Sequence, residues 1–335
     1  MIPFFMLPSC VQHQGKDIKK RQTEVILSQI NLLLNELNRQ DFHVILEKPN
    51  TSNQIVLKNT FINEKPAKLV LDTGASSSFI SKKHLKHFHL EKYDYLEGRN
   101  PTFKLAFGDK SSDTFPTLAN EFRIGGLVFN SWPFVADRSS LNHGLLGIDF
   151  LCFTNAVIFC RTGLIGLSKS HRPVQNLDVM LKEFGYVEIQ ALVPDEFEKK
   201  GVNIKWKENG KIESLTSNVF FLPFYFEGVE GVALLDTGAP FTYIDWNLAK
   251  SRNLKISFDS ALAKDIKGNI ERLSVTKIKD FSIGDYRIGN QNVGVAKLFK
   301  EKKYAHLNSR TRVLGIIGFD TLINHNAIID VGNKT

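Results

Sequence analysis

The chain repeats itself over a long period, and that repeat limits its possible folds more than any other feature. Leu69-Val70-Leu71-Asp72-Thr73-Gly74-Ala75 recurs as Ala233-Leu234-Leu235-Asp236-Thr237-Gly238-Ala239, with the two aspartates 164 residues apart. Phe122-Arg123-Ile124-Gly125 recurs as Phe281-Ser282-Ile283-Gly284. Gly144-Leu145-Leu146-Gly147-Ile148-Asp149-Phe150-Leu151 recurs as Gly315-Ile316-Ile317-Gly318-Phe319-Asp320-Thr321-Leu322. Each copy ends in a strand-like run, Asn155–Phe159 and then Asn326–Asp330. The period far exceeds the roughly 20–50 residues of a solenoid, so the pattern is a duplicated domain. The first copy is expected over residues 51–168 and the second over 217–335, with a leader and helix at 1–50 and a connector at 169–216.

Both copies are rich in Val, Ile and Phe runs cut by Asn, Gly and Lys-Pro turns, which predicts a mainly β protein. At 335 residues the chain is long enough for two such units, each with its own core. Hydrophobic residues at 42% and charged residues at 23% are the balance of an ordinary folded protein. No stretch approaches the roughly 20 apolar residues that span a bilayer, so no membrane span is expected. The net charge is +8, but Lys and Arg are spread along the chain, with short runs only at Lys16–Arg21, Lys82–Lys86 and Lys300–Lys303. A nucleic-acid surface would concentrate them beside stacking aromatics, so nucleic acid is not expected as a partner. Three cysteines, Cys10, Cys152 and Cys160, are too few for a disulfide framework or a closed zinc site.

The opening Met1–Cys10 is apolar, carries two prolines and lacks a positive n-region, so it reads as a disordered or packing leader rather than a secretion signal. Cytoplasm is the default compartment, with signal-independent export left open. From Lys16 to Arg39, Ile18, Val25, Ile26, Ile30, Leu33, Leu34 and Leu37 recur at three- and four-residue steps. That spacing predicts an amphipathic helix of about six turns. Its polar face mixes signs and amides, which favours packing on the body over dimerisation or a membrane surface. The connector is expected to hold a helix near Val174–Phe184 and a short hairpin, because a structureless stretch of that length is unusual.

An apolar strand ending in Asp-Thr-Gly holds a carboxylate rigidly, turns tightly at the glycine and leaves a hydroxyl free to bond backbone. One copy is equally an ordinary Asx-type turn. Two copies in matching repeats can bring two carboxyls into one site, where they share a proton because both cannot ionise at that distance. One member then acts as general base on a water and the other polarises a carbonyl.

These residues resemble the aspartic proteases of the retropepsin/pepsin superfamily, with both lobes in a single chain. The resemblance covers about 51–168 and 217–335. It implies two retropepsin-like, acid-protease β-barrel lobes related by a pseudo-two-fold axis, with the N-terminal amphipathic helix added. It implies catalytic Asp72 and Asp236, loops supported by Thr73, Gly74, Ala75, Thr237, Gly238 and Ala239, and bracing by Leu146, Gly147, Ile317 and Gly318. It further implies flaps, for which Phe103–Phe115 around Phe107 and Gly108, and Ala261–Leu273 around Gly268 and Asn269, are the candidates. The implied activity is endopeptidase cleavage of a peptide or protein substrate by an activated water, with no cofactor and no metal, in a monomer whose lobes pair within the chain.

Ala75 and Ala239 stand where pepsin-like enzymes usually carry Ser or Thr, and each repeat of about 119 residues is compact for a pepsin lobe, so the retropepsin branch is the nearer. Losing that hydroxyl removes a stabiliser of the charged carboxylate, which predicts a less acidic working range. The chain departs from retroviral enzymes at Ser76 and Pro240, where they carry Asp, and at Ile148 and Phe319, where they carry Arg. Those departures motivate an alternative, a catalytically silent scaffold acting as a peptide-binding or inhibitory module. A second alternative pairs the lobes between chains. His84, His87 and His89 invite a zinc reading, but no fourth ligand is identifiable, and a solvated helix start accounts for them. Cys152 and Cys160 read as core thiols. Of the 26 phenylalanines, Phe220, Phe221, Phe224 and Phe226 crowd the strands before Asp236, mostly as core.

Overall fold

The computed structural model describes residues 2–6, 16–93, 114–138, 143–170, 172–192, 202–208, 211–217, 219–264, 270–298 and 311–333. The sequence repeat is a repeat of strand topology. In the first lobe Lys65–Leu71 runs parallel to Gly144–Leu146, which pairs antiparallel with Phe79–Ser81, which runs parallel to Leu127–Asp137. In the second, Val229–Leu235, Val313–Ile317, Tyr243–Asp245 and Gln291–Ala296 follow the same order with the same polarities.

Several repeated residues sit where the backbone needs a left-handed turn. Gly125 and Gly284 both take φ of 54°, and Asn155 and Asn326 take 46° and 50°, a region open to Gly and tolerated by Asn. Each Asp-Thr-Gly strand is the second arm of a hairpin whose turn, Asn63-Glu64 or Glu227-Gly228, has both φ values positive. Such turns match the right-handed twist of the flanking strands.

The first lobe closes into a six-stranded barrel that adds Val56–Ile62 and Phe115–Ile124 to the four strands above. The second carries the shared order inside a nine-stranded sheet extended by Ser257–Lys264, Ile270–Ile278, Phe221–Phe226, Phe281–Ile283 and Tyr286–Arg287. Strand alternation sorts the side chains. Leu69, Leu71, Ile80 and Leu146 enter the main core, whereas Val70, Phe79 and Leu145 form a separate apolar patch with Ala75. Among the described residues most aromatic side chains are core. Phe122, Phe129, Trp132, Phe134 and Phe150 are buried, with ring pairs 5.2–5.5 Å apart edge to face. Phe220, Phe221, Phe224 and Phe226 are all buried too.

A third sheet of six strands ties the lobes together, in the order Val187–Ala191, Ile2–Met6, Ile328–Asp330, Val157–Phe159, Leu164–Leu167, His43–Leu46. Its centre pairs the last strand of each repeat, Ile328 opposite Phe159 and Asp330 opposite Val157. The leader is therefore not a disordered segment at Ile2–Met6: it pairs with Val187–Ala191 on one side and Ile328–Ile329 on the other, and Met6 is buried. Local sequence offered no sign of this, because one partner lies more than half the chain away and the other nearly the whole chain away.

The helix spans Lys16–Arg39 as the periodicity predicts. Leu33 and Leu37 bury against Phe42, against Val157, Phe159 and Ile328 of the six-stranded sheet and against Val174, Leu177 and Leu181 of the connector. The connector helix is shorter than its apolar pattern suggests, Leu177–Glu183, and a hairpin joins Val202–Glu208 to Lys211–Ser217. Cys160 is buried and Cys152 half-buried, neither in a disulfide, and burial pushes the Cys160 thiol up. Among the described residues no helix is long and apolar enough to cross a membrane.

Candidate active site

Both Asp-Thr-Gly turns leave the ends of their parallel ladders in the same way. The Asp72 amide donates to Leu146 O at 2.9 Å, and the Asp236 amide donates to Ile317 O at 3.0 Å. Each carboxylate is cradled by its own loop. Asp72 Oδ1 accepts from the Gly74 and Ala75 amides at 2.9 and 3.0 Å, and Asp236 Oδ1 from Gly238 and Ala239 at 2.9 Å each.

The two loops meet through their threonines, both buried. The Thr73 amide donates to Thr237 Oγ1 and the Thr237 amide to Thr73 Oγ1, each at 3.0 Å. Thr73 Oγ1 in turn donates to Leu235 O at 3.0 Å, and Thr237 Oγ1 to Leu71 O at 2.9 Å. Each hydroxyl thus satisfies one donor and one acceptor of the opposite strand, which a branched apolar side chain cannot do. Gln54 adds a further link across the lobes, its side-chain amide donating to Gly238 O at 2.8 Å.

The interlock places each glycine against the other lobe's carboxylate. A Cβ on Gly74 would lie 2.5 Å from Asp236 Cγ, and one on Gly238 2.5 Å from Asp72 Cγ. Real Cβ atoms do not approach that closely, so either substitution must displace a carboxyl. Gly238→Ala is expected to lower kcat/KM by roughly 100-fold, the scale on which a misplaced reacting group loses rate. Steady-state kinetics beside an unchanged circular dichroism spectrum would check it.

Leu146 and Ile317 end the strands beside the two turns, Gly147 and Gly318 precede the helices Ile148–Phe153 and Phe319–Asn324, and the loops close onto those helices. The Ile148 amide donates to Ala75 O and the Phe319 amide to Ala239 O, both at 2.8 Å. Beneath each loop lies a carboxylate that the sequence reading passed over. Asp149 accepts from the Ser78 amide and the Ser78 hydroxyl at 2.7 Å each. Asp320 accepts from the Thr242 amide and hydroxyl at 2.8 and 2.9 Å. Those hydroxyls accept from the Gly147 and Gly318 amides at 3.1 and 3.0 Å. The signal was present, since Asp149 and Asp320 occupy matching places in the repeat, as do Ser78 and Thr242.

Burial raises all four acids. Asp72 is held well above the ordinary carboxylate range by desolvation, then by the charge and hydrogen bond of Asp236, which lies within bonding reach. Asp236 is raised by desolvation against the pull of the Ala239 amide, the Asp72 carboxyl and the Gly238 amide. Asp149 is pushed to about 6 by burial, and Asp320 is raised by burial against its bonds to Thr242 and Thr321. Ionisation of one member of the facing pair disfavours ionisation of the other, so the two carboxyls can share one proton.

Phe107, Gly108, Gly268 and Asn269 lie outside the described residues. Ser257–Lys264 and Ile270–Ile278, on either side of the second pair, are hydrogen-bonded antiparallel as a hairpin.

Two duplicated lobes that face paired Asp-Thr-Gly turns across a threonine interlock define a bilobal acid-protease architecture. Residues 59–152 match the family model described as "gag-polyprotein putative aspartyl protease", and residues 222–321 match the model described as "Aspartyl protease". Together the matches cover more than half of the chain. The chain belongs to the retropepsin/pepsin superfamily of aspartic proteases. Similar solved structures include a retropepsin-like aspartic protease from Rickettsia conorii, at 21% identity over 38% of this chain and 91% of that one, TM-score 0.30. They also include the aspartic proteinase from Irpex lacteus, at 10% identity over 86% and 96%, TM-score 0.44. No curated protein matches the sequence.

Proposed function

We propose that the protein is an aspartic endopeptidase whose nucleophile is a water held between Asp72 and Asp236. The observation that carries this reading is the pairing of the two carboxyls across the Thr73–Thr237 interlock, each in its own cradle of two amides. The ionised member takes a proton from the water as its oxygen adds to the peptide carbonyl carbon. The protonated member gives its proton to the carbonyl oxygen, producing a neutral gem-diol. Collapse of that diol breaks the C–N bond as the nitrogen takes up a proton, and the shared proton returns to the pair.

Cleavage of a diverse peptide pool from pH 3 to 8, with and without pepstatin, tests the reading. Cleavage that disappears in Asp72→Asn supports it. Absence of cleavage by the parent protein at every pH would favour the silent peptide-binding scaffold that Ser76 and Pro240 motivate. Mixing Asp72→Asn chains with Asp236→Asn chains should restore no activity, because both aspartates of one site come from one chain; restored activity would mean that lobes pair between chains.

The pH profile follows from the cradles. Ala75 and Ala239 offer each carboxylate an amide but no hydroxyl, so the charged form has fewer donors than a Ser or Thr would give. Ala75→Ser is expected to move the acid limb of the kcat/KM profile to lower pH; an unmoved limb would defeat this account of the working range.

A further inference from the structure

Behind the Asp72 loop, three imidazoles gather at the start of the ladder that ends at that aspartate. The His143 and His84 rings lie 4.6 Å apart edge to face, and the His143 and His87 rings 6.2 Å apart. Buried Phe88 closes the group, 5.3 Å from His143. Among the described residues no three His, Cys, Asp or Glu side chains are disposed to hold a metal ion. The geometry instead ties the His143 ring to the backbone of the catalytic strand. Its Nδ1 accepts from the Lys68 amide at 3.0 Å, while the His143 amide donates to Lys68 O at 3.3 Å. The next residues form the parallel ladder, Leu69 opposite Gly144 through Leu71 opposite Leu146, and the Asp72 amide then bonds Leu146 O.

We propose that His143 is a positioning residue for Asp72, and that its neutral imidazole is a latch that acid opens. Nδ1 can accept from Lys68 only while it carries no proton. Once protonated it presents a donor to a donor at bonding distance, and the side-chain bond to the Lys68 amide is lost. The groups facing it strengthen the effect. His84 and His87 pack on it from the turn around Lys82–His84, Lys83 adds charge from the same turn, and Lys68 adds it from the strand; none of these is acidic. Burial first, and then His84, His87, Lys68 and Lys83, hold the His143 pKa below its ordinary value. A lowered histidine pKa contributes stability that is complete above the unfolded pKa and is lost as pH falls through the folded one. The latch is therefore closed at neutral pH and opens on acidification, opposite in sign to the buried carboxyls.

His143→Asn tests this, since asparagine Oδ1 can stand in for Nδ1 as acceptor but does not titrate. Amide hydrogen exchange at Lys68, corrected for its intrinsic pH dependence, is compared between the parent and the variant from pH 7.5 to 5. The parent is expected to lose protection at Lys68 by up to about tenfold per pH unit as pH falls from the ordinary histidine value towards the lowered His143 pKa, levelling off below it, and the variant to stay level. Level protection in the parent, or parallel loss in both proteins, would overturn the proposal. Should His143→Asn not fold, the double substitution His84→Gln with His87→Gln serves, because relief of repulsion must make the loss level off at higher pH by raising the His143 pKa. An unmoved levelling point would count against the cluster. The functional half rests on the protease reading: kcat should fall with KM little changed along the parent's acid limb, and the limb should move to lower pH in His143→Asn. A parent that cleaves nothing defeats the protease reading, while the exchange data still decide the latch.

Discussion

Asp72→Asn and Asp236→Asn are each expected to lower kcat/KM by roughly two to four orders of magnitude, the range general acid–base catalysis supplies. Asparagine cannot take a proton from water, and it cannot pass one to a carbonyl. The fold should survive. Asn keeps an oxygen for the Gly74 and Ala75, or Gly238 and Ala239, amides that hold the loop. Stability carries a second signature. Both carboxyls are raised by burial, Asp72 also by its partner, so their contribution is greatest when protonated and is lost as pH rises through the folded pKa values. Replacing one aspartate removes that residue's share of the loss. The variant's melting temperature relative to the parent should therefore be higher at pH 7 than at pH 4. Melts at both values beside kinetics check the prediction, and residual cleavage within about tenfold of the parent would defeat the assignment.

Thr73→Val should cost the most stability for the fewest atoms. Valine nearly reproduces the shape of threonine and removes only the hydroxyl. That oxygen accepts from the Thr237 amide and donates to Leu235 O, and both partners lie at a buried lobe junction. Leaving a buried polar group unmatched costs about 1–3 kcal/mol, so two orphans put the loss at roughly 2–6 kcal/mol. A fall in melting temperature of about 3 °C or more is the corresponding readout. Thr237→Val should match it, because its bonds mirror those of Thr73. Thr73→Ser keeps the hydroxyl and should recover most of the loss. A Thr73→Val protein that melts within about 1 °C of the parent would show that the interlock carries no weight.

Much of the fold was legible because the duplication is legible. A run such as Leu69–Ala75 is ambiguous alone, but its recurrence ahead of a second hydrophobic-glycine element ties both runs to one topology. Helix Lys16–Arg39 was equally plain, since three- and four-residue spacing over that length admits no strand. Asp149 and Asp320 were hidden in plain view: they sit within the quoted repeat, yet only their bonds to Ser78 and Thr242 reveal that they support the loops. The strand at Ile2–Met6 and the His143 latch left no local trace. Both depend on partners that only the folded chain supplies, Val187–Ala191 and Ile328–Ile329 in one case and Lys68, His84 and His87 in the other.

The sequence by itself determined which residues face inward, where the turns fall, and that two equivalent carboxylates exist, because alternation, turn chemistry and repetition are local properties of a chain. Tertiary structure decided that the carboxylates meet, that each threonine completes the other lobe's backbone, and that burial raises the acids while lowering the pKa of His143. Hydrogen bonds and desolvation act over a few ångströms of space, and residues 164 positions apart become neighbours only when the lobes close on each other.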